Sequence, residues 1–120
     1  MHNKYLALGI MSGTSHDGVD LVLAEFKQKD NEWSWKIHGA ECVSYTEEMR
    51  VKLKNTTLLN CEELINLDHN YGQILGKISM EFLSKQGIKP GLIASHGHTV
   101  FHQPEKGFTC QIGNGNDIAA

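Results

Sequence analysis

The segment from Asn60 to Gln86 constrains the fold more than any other part of the sequence. Leu64, Leu67, Tyr71, Ile74 or Leu75, Ile78 and Phe82 recur at three- and four-residue steps, the spacing of one face of an α-helix. Asn60 with Glu63 three residues on predicts a capping box. Gly87 followed by Pro90 predicts the stop. A helix of that length is about 40 Å long, and its apolar stripe needs a surface to lie on. Gly72 and Gly76 fall one turn apart within it. Each lowers helix stability by about 1 kcal/mol relative to Ala, so their presence predicts close approach of another backbone.

The flanking segments supply that surface as strands. Tyr5–Ile10 is an apolar run bounded by glycine and small polar residues, and Val19–Phe26 is apolar and β-branched. Lys27–Glu32 reads as a turn, and Trp33–Val43 alternates with Trp33, Trp35 and Ile37 on one face. The simplest arrangement is three successive antiparallel strands. Thr46 before Glu47 and Glu48 predicts a short capped helix. Beyond the long helix, Leu92–Ser95 and Phe108–Ile112 read as strands, and Ile118 begins a helix. Strand-helix-strand order after a meander predicts an α/β fold with a mixed sheet and a right-handed crossover.

Composition narrows the class. The chain has 120 residues, 40% apolar and 21% charged, as a soluble globular domain does. Eleven Lys and Arg against fourteen Asp and Glu give a net charge of −3. That balance supplies no basic excess for nucleic acid. No apolar run approaches the roughly 20 residues of a membrane span, and the start lacks a secretory signal pattern. Cys42, Cys61 and Cys110 are scattered, with no C-x-x-C. They are expected to be reduced, mostly buried thiols of a cytoplasmic protein.

Chemistry concentrates in the loop between the first two strands, Ser12-Gly13-Thr14-Ser15-His16-Asp17-Gly18-Val19. Gly13 and Gly18 permit a tight hairpin. Backbone N–H groups in such a turn converge on an anion, and the hydroxyls of Ser12, Thr14 and Ser15 add donors. A carboxylate beside bound phosphates, Asp17 or Asp20, can hold Mg²⁺. No Walker A pattern is present, and no Lys lies between Lys4 and Lys27. An ordinary Gly-rich hairpin remains the alternative.

Two further segments carry polar groups just past strands. His96, His98 and His102 lie within seven residues. In an extended chain His96 and His98 would face the same way and could join His102 around a metal. Such a site would make the protein a metal-dependent hydrolase. The alternative is neutral histidines bonded to substrate or backbone. His2, His38 and His69 read as surface or partly packed. Gly113-Asn114-Gly115 opens a helix but fails G-x-G-x-x-G at Ile118. A capped helix start at Asn114, Asn116 or Asp117 accounts for it, and an anion site at the helix end is the alternative.

Strand, Gly-Thr-Ser hairpin with Asp-Gly, and second strand resemble the first phosphate loop of the sugar kinase, heat-shock ATPase and actin superfamily. The string Met11-Ser12-Gly13-Thr14-Ser15-His16-Asp17-Gly18-Val19-Asp20 is similar to the M-S-G-T-S-x-D-G-x-D signature of anhydro-N-acetylmuramic acid kinases. Ser95 to Pro104 (Ser-His-Gly-His-Thr-Val-Phe-His-Gln-Pro) and Gln111 to Ala119 resemble the same family, in its order and at about its spacing. His98 stands where the family usually has Gln, an exchange that keeps a polar, hydrogen-bonding group.

The resemblance implies a ribonuclease H-like, actin-type ATPase domain. Residues 1–120 would be the amino-terminal portion of its first lobe. It implies binding of ATP phosphates by Ser12, Gly13, Thr14, Ser15, His16, Asp17, Gly18 and Val19, with Mg²⁺ at Asp17. His96, His98 and His102 would bind the sugar. The implied reaction uses ATP and water to convert 1,6-anhydro-N-acetylmuramic acid to N-acetylmuramic acid 6-phosphate in peptidoglycan recycling. Its general base is an Asp in a D-x-A-x-G-G-Q-G-A-P-type segment, expected C-terminal to Ala120. The implied family length is about three times that of this chain, so the sequence reads as a truncation without catalytic base or second lobe. Such a piece is expected to be inactive alone. A non-catalytic nucleotide-binding fragment is the further alternative, and a homodimer of the longer protein stays open.

Overall fold

A computed structural model describes residues 2–12 and 17–120. Three strands, β1 (His2–Ser12), β2 (Gly18–Lys29) and β3 (Glu32–Ser44), form the antiparallel meander. All three run further than the apolar runs indicated. Lys27, Gln28 and Lys29 continue β2, because Asp30 and Asn31 alone make the turn, both at positive φ (52° and 67°). A two-residue turn of that type matches the twist of its strands, so pairing extends to Lys29 and Glu32. A register shift falls between Leu23 and Ala24.

Two helices follow, α1 (Glu47–Lys54) and α2 (Cys61–Gln86). Thr46 Oγ1 accepts from the Met49 N–H at 3.2 Å. At α2 the capping box forms in both directions, Glu63 N–H to Asn60 Oδ1 at 2.8 Å and Asn60 N–H to Glu63 Oε1 at 3.0 Å. Gly87 ends the helix in the left-handed region at φ 66°, a conformation that glycine adopts without steric cost. The chain then enters β4 (Leu92–Ser95), which lies parallel to β1. The sheet order is β3-β2-β1-β4, as a mixed sheet with a helical crossover requires.

The final segments depart from expectation. His98–Gln103 is a strand, β5, not a loop, and it pairs antiparallel with β6 (Phe108–Ile112). Phe108–Ile112 therefore belongs to a separate two-stranded sheet instead of adding a further crossover strand to the main one. The polar turn Pro104–Lys106 joins β5 to β6, closed by Gly107 N–H to the Pro104 carbonyl at 3.0 Å. The last helix, α3 (Gly115–Ala119), is capped by Asn114, whose side chain accepts from the N–H groups of Asn116 and Asp117.

One core holds these parts together. Leu8 and Ile10 of β1 and Val19, Leu21 and Leu23 of β2 meet Leu53 of α1, Leu67, Tyr71, Leu75 and Phe82 of α2, Ile112 and Ile118. The alternating strand residues on this face are buried, as a sheet covered by a helix demands. Tyr5, Trp33, Trp35 and Ile37 lie exposed. The paired glycines of α2 do what their spacing predicted. A Cβ at Gly72 would lie 2.7 Å from the Asn114 carbonyl oxygen, and one at Gly76 would lie 3.1 Å from that of Asp117. The cysteines are free, as expected, but not buried: Cys42 and Cys61 are exposed and Cys110 is half-buried. Cys42, on β3, sits opposite the exposed Asp20 of β2, and Cys61 starts α2.

Candidate functional site

The hairpin between β1 and β2 is where the chemistry was expected. Gly13, Thr14, Ser15 and His16 lie outside the described residues, so their part in a phosphate loop rests on sequence. The loop's two roots are described. Met11 pairs with Asp20 and Ser12 with Val19, which places Ser12 and Gly18 at one end of the sheet. Asp17 anchors the exit of the loop: its carbonyl accepts from the Tyr45 N–H at 3.0 Å. Its carboxylate is largely exposed and lies 3.8 Å from the Arg50 guanidinium, which also pairs with Glu47. An exposed carboxylate at the loop end suits a cation shared with phosphate oxygens. Arg50 is a neighbouring cation that motif reading overlooked. It lies on α1, remote in sequence from the loop. Gly18 is tightly held, since a Cβ there would overlap the Val43 carbonyl.

Ser12 is 5% exposed and His98 3% exposed. Both line a cleft of about 330 Å³ with Lys54, Thr56, Thr99 and His102. The fold thus brings the root of the loop and two of the three histidines to one cleft. Ser12, His98 and His102 each have a defined partner there. Ser12 Oγ donates to the Gly97 carbonyl at 2.6 Å. His98 Nε2 donates to the Leu53 carbonyl at 3.1 Å. His102 Nδ1 shares a hydrogen bond with Thr109 Oγ1 at 2.6 Å. His96 is exposed and is not among the residues lining that cleft.

The metal-site alternative loses its geometry. Gly97, at φ 70°, interrupts the extended chain between His96 and His98, so the two do not share a face as an unbroken strand would place them. Among the described residues no group of three His, Cys, Asp or Glu is placed to hold a metal ion. Buried His98 is turned to backbone, as the second reading of the cluster expected.

Behind the cleft lies a cluster of hydroxyls. Tyr45 and Tyr71 hold their phenolic oxygens 2.5 Å apart. Burial, the largest cause, pushes both phenols above the ordinary tyrosine range, and the Tyr71 partner raises Tyr45 further. Both stay protonated at neutral pH and serve as structural donors. The Tyr71 ring also meets His98 edge-on, with centroids 6.4 Å apart. The helical period marked Tyr71 only as core. Its meeting with Tyr45 and His98 is a tertiary fact that periodicity does not carry.

The Gln111–Ala119 string is held by α2. The Gly113 N–H donates to Asp68 Oδ1 at 2.6 Å, and the Asn114 N–H to the Asp68 carbonyl at 3.2 Å. His69 Nδ1 meets Asp117 Oδ2 at 2.6 Å. Asn114 acts as the cap, which satisfies the capped-helix reading of this stretch.

Comparison with known proteins agrees with the motif reading. The family model for anhydro-N-acetylmuramic acid kinase matches residues 5–120. A protein of that name from Photobacterium profundum is 38% identical over 94% of this chain and 31% of its own length. Relatives of the same name from Vibrio vulnificus (strain CMCP6) and Paramagnetospirillum magneticum are each 36% identical. They cover 99% and 96% of this chain, and 33% and 32% of their own lengths. The chain spans about a third of the length of the curated relatives it matches.

Proposed function

The chain belongs to the anhydro-N-acetylmuramic acid kinase family, and on that premise we propose that it supplies the phosphate loop and part of the sugar pocket of such a kinase. The reaction would take ATP and water with 1,6-anhydro-N-acetylmuramic acid and yield N-acetylmuramic acid 6-phosphate, in the cytoplasmic recycling of peptidoglycan. The observation that carries this reading is the shared cleft. Ser12, at the root of the loop, and His98 and His102 line one concavity. A phosphoryl donor and its acceptor must meet in such a concavity.

In this reading Ser12 through Val19 receive the phosphates of ATP, and His102 faces the sugar with His96 at the mouth, while His98, bonded to the Leu53 carbonyl, shapes the wall of the sugar pocket. Phosphoryl transfer depends on positioning and on neutralising charge. Asp17 would hold Mg²⁺, which supplies positive charge to the phosphate oxygens when bound. The nearby Arg50 guanidinium offers a further positive charge. Residues 1–120 would form the amino-terminal portion of the first lobe of a ribonuclease H-like, actin-type domain. Support for that comes from the order β3-β2-β1-β4 with β4 parallel to β1, and from the loop lying between β1 and β2. No helix among the described residues is long and apolar enough to cross a membrane.

The division of labour is testable. The general base would lie in the part of the relatives beyond this match. Assayed alone, the 120 residues are then expected to transfer no phosphate to the anhydro sugar, and measurable ATP-dependent phosphorylation by them overturns that division. In a hybrid carrying these residues in place of the matching third of the Vibrio vulnificus relative, Asp17→Ala is expected to lower turnover at least ten-fold. Unchanged turnover removes Asp17 from the site.

A further inference from the structure

We propose that Lys54 is a specificity-determining residue whose ammonium holds the lactyl carboxylate of the sugar, with the Thr57 hydroxyl as a second donor. The proposal rests on the reading of the cleft as the sugar pocket. The cleft has two walls. One runs from the end of α1 into the turn Thr56–Leu58, and the other is β5. Leu53, Thr56 and His98 are buried there, whereas Lys54, Thr57 and His102 are exposed. Its volume of about 330 Å³ lies at the lower end of the range for small-molecule pockets, roughly 300–1,000 Å³, a size for one sugar unit.

Charge decides what such a cleft takes. Among its described lining residues are no Asp and no Glu, and one Lys, Lys54. The other cations of α1 are engaged: Arg50 with Glu47 and Asp17, and Lys52 with Glu48. Lys54 enters no ion pair among the described residues, and residues 13–16 contain no Asp or Glu to supply one. The helix dipole favours any cation in a last turn, so position on α1 alone would suit a solvated lysine. What sets Lys54 apart is that it borders a cleft free of carboxylates.

The hydroxyls sort in the same way. Thr56 Oγ1 donates to the Leu53 carbonyl at 3.3 Å, and Thr99 Oγ1 accepts from Gln111 Nε2 at 3.3 Å. The exposed Thr57 hydroxyl has no partner among the described residues. Phosphate is the competing anion, and Arg50 is the cation nearer to it, through Asp17 at the exit of the loop. Lys54 lies four residues further along α1, about one turn, where the helix meets the β5 side of the cleft. The sugar supplies the complement. N-acetylmuramic acid differs from N-acetylglucosamine by a lactyl ether on the 3-oxygen, and that ether ends in a carboxylate. An ammonium and a carboxylate form a charge-assisted hydrogen bond. A neutral sugar leaves the cation without it, and the difference in affinity is the specificity.

The test titrates the 120-residue protein with 1,6-anhydro-N-acetylmuramic acid and with its neutral lactyl amide, following the amide resonances of residues 53–57 and 98–102. The acid is expected to bind at least five-fold more tightly than the amide. Lys54→Met is expected to abolish that preference and to leave the affinity for ATP unchanged, and Lys54→Arg is expected to keep the preference. Acid and amide binding alike in the wild-type chain overturns the proposal and leaves the sugar pocket in place, a comparison that needs no variant to fold. A preference that survives Lys54→Met assigns the carboxylate to another residue and overturns it too. So does a loss of ATP affinity in Lys54→Met without a loss for the acid, which assigns the charge to phosphate. If neither sugar shifts residues 98–102, the sugar-pocket reading itself falls and takes the proposal with it.

Discussion

Glu25 shows how a single side chain in this sheet is balanced. It is 6% exposed on β2, yet its carboxylate meets Lys4 at 3.0 Å, His38 at 3.3 Å and Lys27 at 3.5 Å. The Lys4 hydrogen bond, the largest cause, outweighs desolvation and holds its pKa down at about 2. A depressed carboxylate stabilises the fold above its unfolded pKa of about 4.3 and loses that contribution as pH falls through the folded value. The stability gap between the wild-type chain and Glu25→Gln is therefore expected to be full at neutral pH and to shrink between about pH 4 and pH 2. Urea melts across that range check it, and a gap that stays constant contradicts the assignment. Gly97 makes a second case. Its left-handed backbone costs a residue with a Cβ about 1–3 kcal/mol, and the Ile112 carbonyl leaves no room. Gly97→Ala is expected to exceed that loss in thermal melts, because the Ser12 bond to the Gly97 carbonyl is disturbed as well.

Helix α2 organises the molecule from its middle, and its glycines separate propensity from packing. Gly→Ala in an isolated helix gains about 1 kcal/mol. At Gly72 a Cβ would lie 2.7 Å from the Asn114 carbonyl oxygen and 2.9 Å from its nitrogen. Gly72→Ala is expected to lower stability despite the gain in propensity. At Gly76 the nearest backbone atom is at 3.1 Å, so Gly76→Ala is expected to cost less. Chemical denaturation of the two variants decides this, and stabilisation by Gly72→Ala would contradict the close approach. The presence, caps and end of α2 were legible in the sequence, and so was the need for a second backbone at these glycines. Its partner was not, because nothing in a periodic pattern says what a face meets. The same limit hid Tyr71, which periodicity marks as core and the fold makes a junction. Strand β5 escaped notice for a different reason. His98-Thr99-Val100-Phe101-His102-Gln103 is polar and lacks a clean two-residue alternation, and a register shift between Thr99 and Phe101 breaks what alternation there is. The cysteines depart from expectation because burial of a small apolar side chain depends on its place in the fold: Cys61 starts α2 and Cys42 lies on an exposed strand position.

Across the molecule, described residues of three strings far apart in sequence are tied to one another and to the helices α1 and α2. Ser12 reaches Gly97, His98 reaches Leu53, and Gly113 reaches Asp68. The motifs carried the family, and the fold adds that Ser12, His98 and His102 line one cleft. It also shows that His96, His98 and His102 do not gather into a metal centre. On the proposed function, these residues are expected to serve as the phosphate-loop third of a working kinase. The direct measurement is ATP-dependent phosphorylation of 1,6-anhydro-N-acetylmuramic acid by the hybrid in which they replace the matching third of the Vibrio vulnificus relative. Turnover within about ten-fold of that relative, a difference in barrier of about 1.4 kcal/mol, is the expected result. A folded hybrid that binds neither ATP nor the sugar, beside an active parent, would contradict it.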